Sequence, residues 1–403
     1  MVLVQKEPKA IKIWTTDIKK VYLGSTQVRP KGRTFTISWT EQSNMSSGWT
    51  YSDDAAGLTA GSWDFDDFLW YSAVLLNTSW VETAEMTQSW WVFTGAMTTL
   101  GNITSGDNVM IKFPVRWIKM TKSWSVVTLS ITDWLGRESE WYQYYAHCTW
   151  TLSNPWTPKD AFYLWTYKAY NNSNVLKSWS WKSPTWNVTQ ANFCTYAKAN
   201  GSWYNIIGFY QRMYINALYM MKYWNPDCQS VIWRWYTGWS AKVNTGWTVS
   251  QTLATYGTTS TTQQVKLFWL EDWWGNIYEW IGWMCTDGSK NLWTALSWFV
   301  WGITTSSPYE NTWTTIQITS WNDLSSIVWN NKVLFWPSAT VSNSSYDTYY
   351  CDYVSVGAFR LAIAGGNWSD SLRAGAFLLY VFNDASSSDV DIGSRLMYLN
   401  WLT

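Results

Sequence analysis

Through most of this chain apolar residues alternate with polar ones in short runs, broken by clusters of Ser, Thr, Asn, Asp and Gly. A period of two predicts half-buried strands joined by loops. Strands are predicted over 34–38, 70–76 and 91–96, a hairpin from 109–120 and 126–131, and a further strand over 162–167. From about 283 to 349 the pattern gives short β-like pieces. Two stretches switch to steps of three and four. One covers 188–199, with Thr189 near its start. The other covers 204–223, where Ile206, Phe209, Met213, Ala217 and Met220 share a stripe. That stripe predicts a helix with one face packed on a small antiparallel sheet, stopped by Asn225-Pro226.

The C-terminal end departs from both periods. It starts as an alternating strand at Val354, reaches Gly365-Gly366-Asn367-Trp368, and closes on Ile392-Gly393-Ser394-Arg395-Leu396. The residues between are small, polar, aromatic and charged in no helical or strand order. Regular ends around an irregular middle suit a display surface, and the rest of the chain reads as its scaffold. Residues 1 to about 30 read as a lead-in or attachment tail.

Charge and cysteine usage narrow the function classes. Lysine plus arginine and aspartate plus glutamate number 28 each, so no bulk field draws the chain to nucleic acid or anionic lipid. No apolar run approaches the roughly 18 residues of a membrane span. The first residues lack a signal peptide's apolar core and cleavage site. Cys148, Cys194, Cys228, Cys285 and Cys351 are far apart, form no C-x-x-C, and read as free thiols. His147 is the one histidine, so no second imidazole can share a metal with it, and it is read as a packed structural residue. Asp64, Asp66 and Asp67 read as a solvated acidic turn. No phosphate-cradling G-x-x-x-x-G-K-[ST] is present, and neither cofactor nor metal is expected.

Tryptophan usage is abnormal: 38 tryptophans stand against 23 glycines, the reverse of ordinary composition. Trp124 occupies Lys122-Ser123-Trp124-Ser125, where a tight hairpin wants φ > 0. Trp156, Trp239 and Trp247 sit in loops of Ser, Thr, Asn and Pro, and Trp224 stands where a helix wants its glycine cap. Most of these tryptophans are therefore read as glycine, encoded by UGA in a lineage that reads UGA that way. Trp280 and Trp368 fall in motifs and are read as true tryptophans.

The densest motif is Leu270-Glu271-Asp272-Trp273-Trp274-Gly275-Asn276-Ile277-Tyr278-Glu279-Trp280. It resembles the L-x-D-x-x-G-N-V-W-E-W signature of the formylglycine-generating-enzyme-like branch of the C-type lectin fold. Gly357-Ala358-Phe359-Arg360 and Gly365-Gly366-Asn367-Trp368 resemble that branch's closing elements. From about residue 109 to the end, the chain is similar to phage tail and receptor-binding proteins whose C-terminal segment is diversified by a retroelement. The resemblance implies an α+β fold: a C-type-lectin-like domain over 105–403, preceded by a small β-rich attachment domain over 1–104. Adenine-directed mutagenesis leaves residues encoded by NNY codons, and 369–392 lacks Lys, Glu, Gln, Met and Trp.

By the same resemblance, segment 368–392 is the variable ligand-binding part. Gly365, Gly366, Gly375, Phe377, Ile392, Gly393 and Arg395 match its framework. The ligand-binding residues are then Trp368, Ser369, Asp370, Leu372, Arg373, Ala374, Leu378, Tyr380, Phe382, Asp384, Ser388, Val390 and Asp391. Leu378, Tyr380, Phe382 and Asp384 alternate, so a strand aims all four to one face. Tyr380, Phe382 and Arg373 are the expected anchors. The implied partners are a host cell-surface receptor, protein or glycan, and other tail proteins through the N-terminal part, with a homotrimer as one arrangement. No nucleic acid or membrane partner is expected, and the implied location is the virion. Two other classes remain: a formylglycine-generating-type oxidase, and a variable adhesin on a cell surface. Glu271, Asp272 and Glu279 are carboxylates of acid–base type, better read as hydrogen-bond anchors or calcium ligands. No enzymatic activity is carried over, because fold alone licenses none.

Overall fold

A computed structural model describes residues 32–41, 48–79, 81–85, 101–134, 136–232, 236–251, 253–258, 263–296, 302–315, 318, 322–328, 332–341, 350 and 352–399, with four short strands before residue 29. The protein is mostly β-sheet with few helices. The strand predicted over 91–96 lies outside the described residues.

The alternating runs become strands close to where the pattern put them: Thr34–Thr40, Ser72–Leu76, Val126–Thr132 and Ala161–Trp165. The run over 109–120 is two strands, Asn108–Pro114 and Trp117–Ser123, because Val115 and Arg116 break the ladder. Only the second forms the hairpin with Val126–Thr132, with Ser123 opposite Val126 across a two-residue turn.

The boundary expected at residue 104 does not separate the described strands. Val126–Thr132 pairs along its whole length with Thr34–Thr40, in a sheet that also holds Trp117–Ser123 and Trp49–Asp53. A six-stranded sheet orders Tyr204–Ile206, Leu396–Leu399, Ala161–Trp165, Asn108–Pro114, Ser72–Leu76 and Glu82–Glu85. Both sheets cross the boundary, and side chains reinforce them. The buried Glu41 carboxylate accepts hydrogen bonds from Lys122 Nζ (2.5 Å), Ile327 N and Tyr350 Oη (both 3.0 Å). Asp66 lies in a short helix, Trp63–Leu69, not in a solvated turn. Its buried carboxylate accepts from Lys222 Nζ at 2.6 and 2.7 Å.

Thr189 caps the helix Gln190–Lys198, its side chain accepting from Asn192 N. The stretch 204–223 splits into the strand Tyr204–Ile206 and the helix Phe209–Tyr223, with Gly208 at the N-cap. This helix has no exposed face: every residue from Phe209 to Lys222 is buried. Its polar members are each matched by a partner, as burial demands. Gln211 Nε2 donates to Ala146 O (2.6 Å) and Asn216 Nδ2 to Ala376 O (2.8 Å), while Arg212 meets Glu279. The one-sided stripe read from the sequence is thus an incomplete description of a central helix. Its last turn ends on Trp224 in the left-handed region, whose N–H donates to Met220 O.

A seven-stranded sheet completes the C-terminal part, in the order Pro337–Val341, Asn322–Ile327, Tyr353–Val356, Leu379–Asn383, Leu361–Ala364, Tyr278–Ile281 and Ile392–Gly393. No helix among the described residues is long and apolar enough to cross a membrane.

Candidate functional site

The strand Leu379–Asn383 lies inside that sheet, parallel to Tyr353–Val356 and antiparallel to Leu361–Ala364. Strand alternation sorts its side chains. Leu379 and Val381 are buried, whereas Tyr380 is half-buried and Phe382 is 43% exposed. The two outward rings stack, with centroids 5.9 Å apart and planes at 23°. The Arg360 guanidinium lies 5.5 Å from the Phe382 ring centroid and pairs with the exposed Asp384 at 2.7 Å. Arg373 stands on the short 3₁₀ turn Ser371–Arg373, with its guanidinium 4.5 Å from the centroid of Tyr353.

Two expected members are elsewhere. Leu378 is 1% exposed because it precedes the strand, in the turn where its N–H bonds Gly375 O and its carbonyl accepts from Gly365 N. Ala374 is fully buried beneath the Gly365-Gly366 turn, so close that a Cβ on Gly366 would lie 2.7 Å from its own. Both belong to the scaffold. Ser369, Arg373, Phe382, Asp384, Ser388 and Val390 are exposed, and Trp368, Asp370, Leu372, Tyr380 and Asp391 are half-buried.

Asn367 ties the two ends of the segment together. Its backbone N–H donates to Asp370 Oδ2 (2.8 Å) and its Nδ2 to Asp391 Oδ2 (2.6 Å), while its Oδ1 accepts from Ser369 N (2.7 Å). Burial pushes both carboxyls up. Gly365 and Gly366 take φ of 88° and 81°, a conformation that side chains resist. Gly375 is required by space, since a Cβ there would lie 1.8 Å from Asp352 Oδ1.

Sequence reasoning passed over Phe359, Arg360 and Tyr353 as contact residues. Phe359 holds φ 52° with its ring 55% exposed, an uncommon state for a bulky residue. The signal was present in Gly357-Ala358-Phe359-Arg360, which was read only as a closing element of the fold.

Beneath the face, the two sequence motifs meet. The Glu279 carboxylate is fully buried and is held by Arg395 Nε (2.8 Å), Lys168 Nζ (3.0 Å) and Arg212 (3.1 Å). Burial works to raise its pKa, but Lys168, Arg395 and Arg212 together keep it below the usual carboxylate range. Arg395 also donates to Trp165 O (2.7 Å) and to the backbone of Glu271. The Glu271 carboxylate accepts from Gly246 N (2.7 Å) and from Thr248 Oγ1 (2.6 Å). Asp272 Oδ2 accepts from Asn276 Nδ2 (2.8 Å), and burial beside Glu271 pushes its carboxyl up to about 7. All three carboxylates are buried: Glu271 holds the backbone N–H groups of Gly246 and Thr248, whereas Glu279 and Asp272 meet side chains. His147 is buried against Phe162 and Tyr214, bonds Phe113 O (3.2 Å), and is pushed down to about 3 by burial. Cys148, Cys194, Cys228 and Cys285 are buried free thiols. Among the described residues no group of three or more His, Cys, Asp or Glu is placed to hold a metal.

No protein-family model matches the chain, and no curated protein matches it. Among solved structures the chain is similar to the Major Tropism Determinant P3c variant, at 11% identity and a TM-score of 0.26, over 87% of this chain and 77% of that one. It is similar to the U1 variant at 11% identity and a TM-score of 0.25, with the same coverage. Overlaps this low do not fix the fold.

Proposed function

We propose that this chain is a receptor-binding protein of a phage tail, with segment 368–392 on a C-type-lectin-like scaffold as its ligand face. The observation that carries the reading is the outward pair on Leu379–Asn383. The half-buried Tyr380 and the 43% exposed Phe382 stack on each other, with Arg360 over the Phe382 ring, while the alternate residues Leu379 and Val381 fill the core. Tryptophans apart, the exposed aromatic rings among the described residues are Phe359 and Phe382, and both flank Arg360. Exposed aromatic and arginine side chains gathered in one place are the usual anchors of an interface. Asn367, the Gly365-Gly366 turn and the Tyr278–Ile392 pairing hold both ends of the segment, which supports side-chain exchange on a fixed backbone.

An oxidase of the formylglycine-generating type calls for accessible reactive cysteine. Burial pushes the Cys148, Cys194 and Cys285 thiols up, away from thiolate chemistry. The virion location, the tail-protein partners and the retroelement belong to the same proposal. They are tested by the neighbouring genes: tail genes beside a reverse transcriptase are expected, and their absence favours a cellular adhesin.

The binding face itself is tested with the whole protein screened against bacterial surfaces and glycan arrays. Tyr380→Ala and Phe382→Ala are expected to abolish the binding found, with the melting temperature unchanged. Loss of stability on the scale of a core truncation, about 3–5 kcal/mol, would instead make these residues scaffold.

A further inference from the structure

The backbone makes a demand at particular tryptophans that indole cannot meet. Among the described residues, twenty that are not glycine have positive φ, and nine of them are tryptophan: Trp70, Trp124, Trp141, Trp150, Trp181, Trp224, Trp269, Trp283 and Trp313. Asn, the side chain that most readily takes this conformation, supplies three, namely Asn174, Asn187 and Asn276. Large side chains are the rarest there, because Cβ meets the neighbouring carbonyl.

The local structures are those that select glycine by mechanism. Trp124, at φ 57°, is the first residue of the two-residue turn between Ser123 and Val126, and its side chain is 96% exposed. A turn of that length needs φ > 0 at this position to match the strand twist. Trp224 and Trp141 occupy the left-handed position that closes a helix, at φ 49° and 68°, each donating its N–H back into the last turn. Trp313 holds φ 58° within the strand Glu310–Thr315, with its ring 85% exposed. At Trp124, Trp141 and Trp313 solvent covers most of the ring, so burial does not compensate the backbone.

A second observation is independent of φ. The indole N–H groups of Trp49, Trp117, Trp165 and Trp336 are buried with no acceptor, which native interiors avoid. Trp280 is the contrast: it lies in the strand Tyr278–Ile281 with negative φ, and its Nε1 donates to Val188 O at 3.2 Å.

We infer that the polypeptide made in its own host carries glycine, read from UGA, at the nine positions of positive φ. Translation by the standard code would stop at the first such codon, and a code that reads UGA as tryptophan would place a bulky ring at each tight turn. The gene with its UGA codons therefore yields the intended chain only in a host whose transfer RNA for UGA carries glycine. That restricts the gene to hosts of that code, whatever the protein binds.

Codon sequencing and peptide mass spectrometry of protein from its native source test the inference. UGA at these nine codons and glycine masses in their peptides are expected. UGG at them, or tryptophan masses, would overturn it. A second measurement tests the structural premise apart from the gene. Two synthetic versions, differing only in glycine or tryptophan at the nine positions, are made in a standard-code host. The glycine version is expected to melt higher; an equal or lower melting temperature would sink the inference.

Discussion

His147 shows what one buried side chain contributes to acid sensitivity. Its folded pKa is lowered from 6.5 to about 3 by burial, so unfolding below pH 6.5 lets the imidazole take up a proton that the core refuses. Its contribution is present in full above pH 6.5 and is lost as pH falls towards 3, at up to about 1.4 kcal/mol for each pH unit. His147→Phe is expected to flatten that limb of a urea-unfolding series; an unchanged slope would refute the assignment. At this scale the sequence was legible for polarity and poor for position. Alternation placed Leu378, Tyr380, Phe382 and Asp384 on one face; Tyr380 and Phe382 share a face of the strand, but Leu378 has their parity and lies in the core. Parity holds only within a strand, and the strand begins at Leu379. Leu378→Ala should therefore cost about 2–5 kcal/mol and serves as the core control for the two aromatic variants. Asp66 was misread because its partner, Lys222, lies 156 residues away, and no local pattern reports such a pair.

At the scale of elements, the motif strand Tyr278–Ile281 and the closing Ser394-Arg395-Leu396 are joined by charge. Glu279 is the shared anion of Lys168, Arg212 and Arg395, all fully buried. Glu279→Gln leaves three cations facing one another without it, and removing one side of such a cluster costs about 3–5 kcal/mol. The urea midpoint is expected to drop accordingly; a change under about 0.5 kcal/mol would show that the cluster is not an organising contact. The motif was visible in the sequence as a cluster of unusual residues, because buried charge forces unusual composition. Which residues met across it was not, since Arg212 and Arg395 come from a helix and from the chain's end. Helix 209–223 was likewise found by its period, while the partners of its polar residues Gln211, Arg212 and Asn216, at Ala146, Glu279 and Ala376, are distant in sequence and no local pattern reports them.

For the whole molecule, strand pairing decides what can be separated. A chain beginning at residue 105 would leave Val126–Thr132 without Thr34–Thr40, and Asn108–Pro114 without Ser72–Leu76. Each loses a full ladder and uncovers the apolar face behind it. Residues 105–403 alone are expected to show collapsed circular dichroism and rapid hydrogen exchange. A cooperatively melting fragment would restore the boundary that the resemblance implied. That boundary followed from where the resemblance begins, and pairing between distant strands leaves no trace in local motifs.

The strand Leu379–Asn383 has a hydrogen-bonded neighbour on each side. Its main chain is therefore already spoken for, and a partner cannot add itself as a further strand there. Recognition at this face falls to side chains projecting every second residue, with peptide groups contributing no generic adhesion. A new sequence at those projections would change the partner while offering no sticky edge for copies of the protein to share. Variants would then differ in what they bind without differing in how readily they clump.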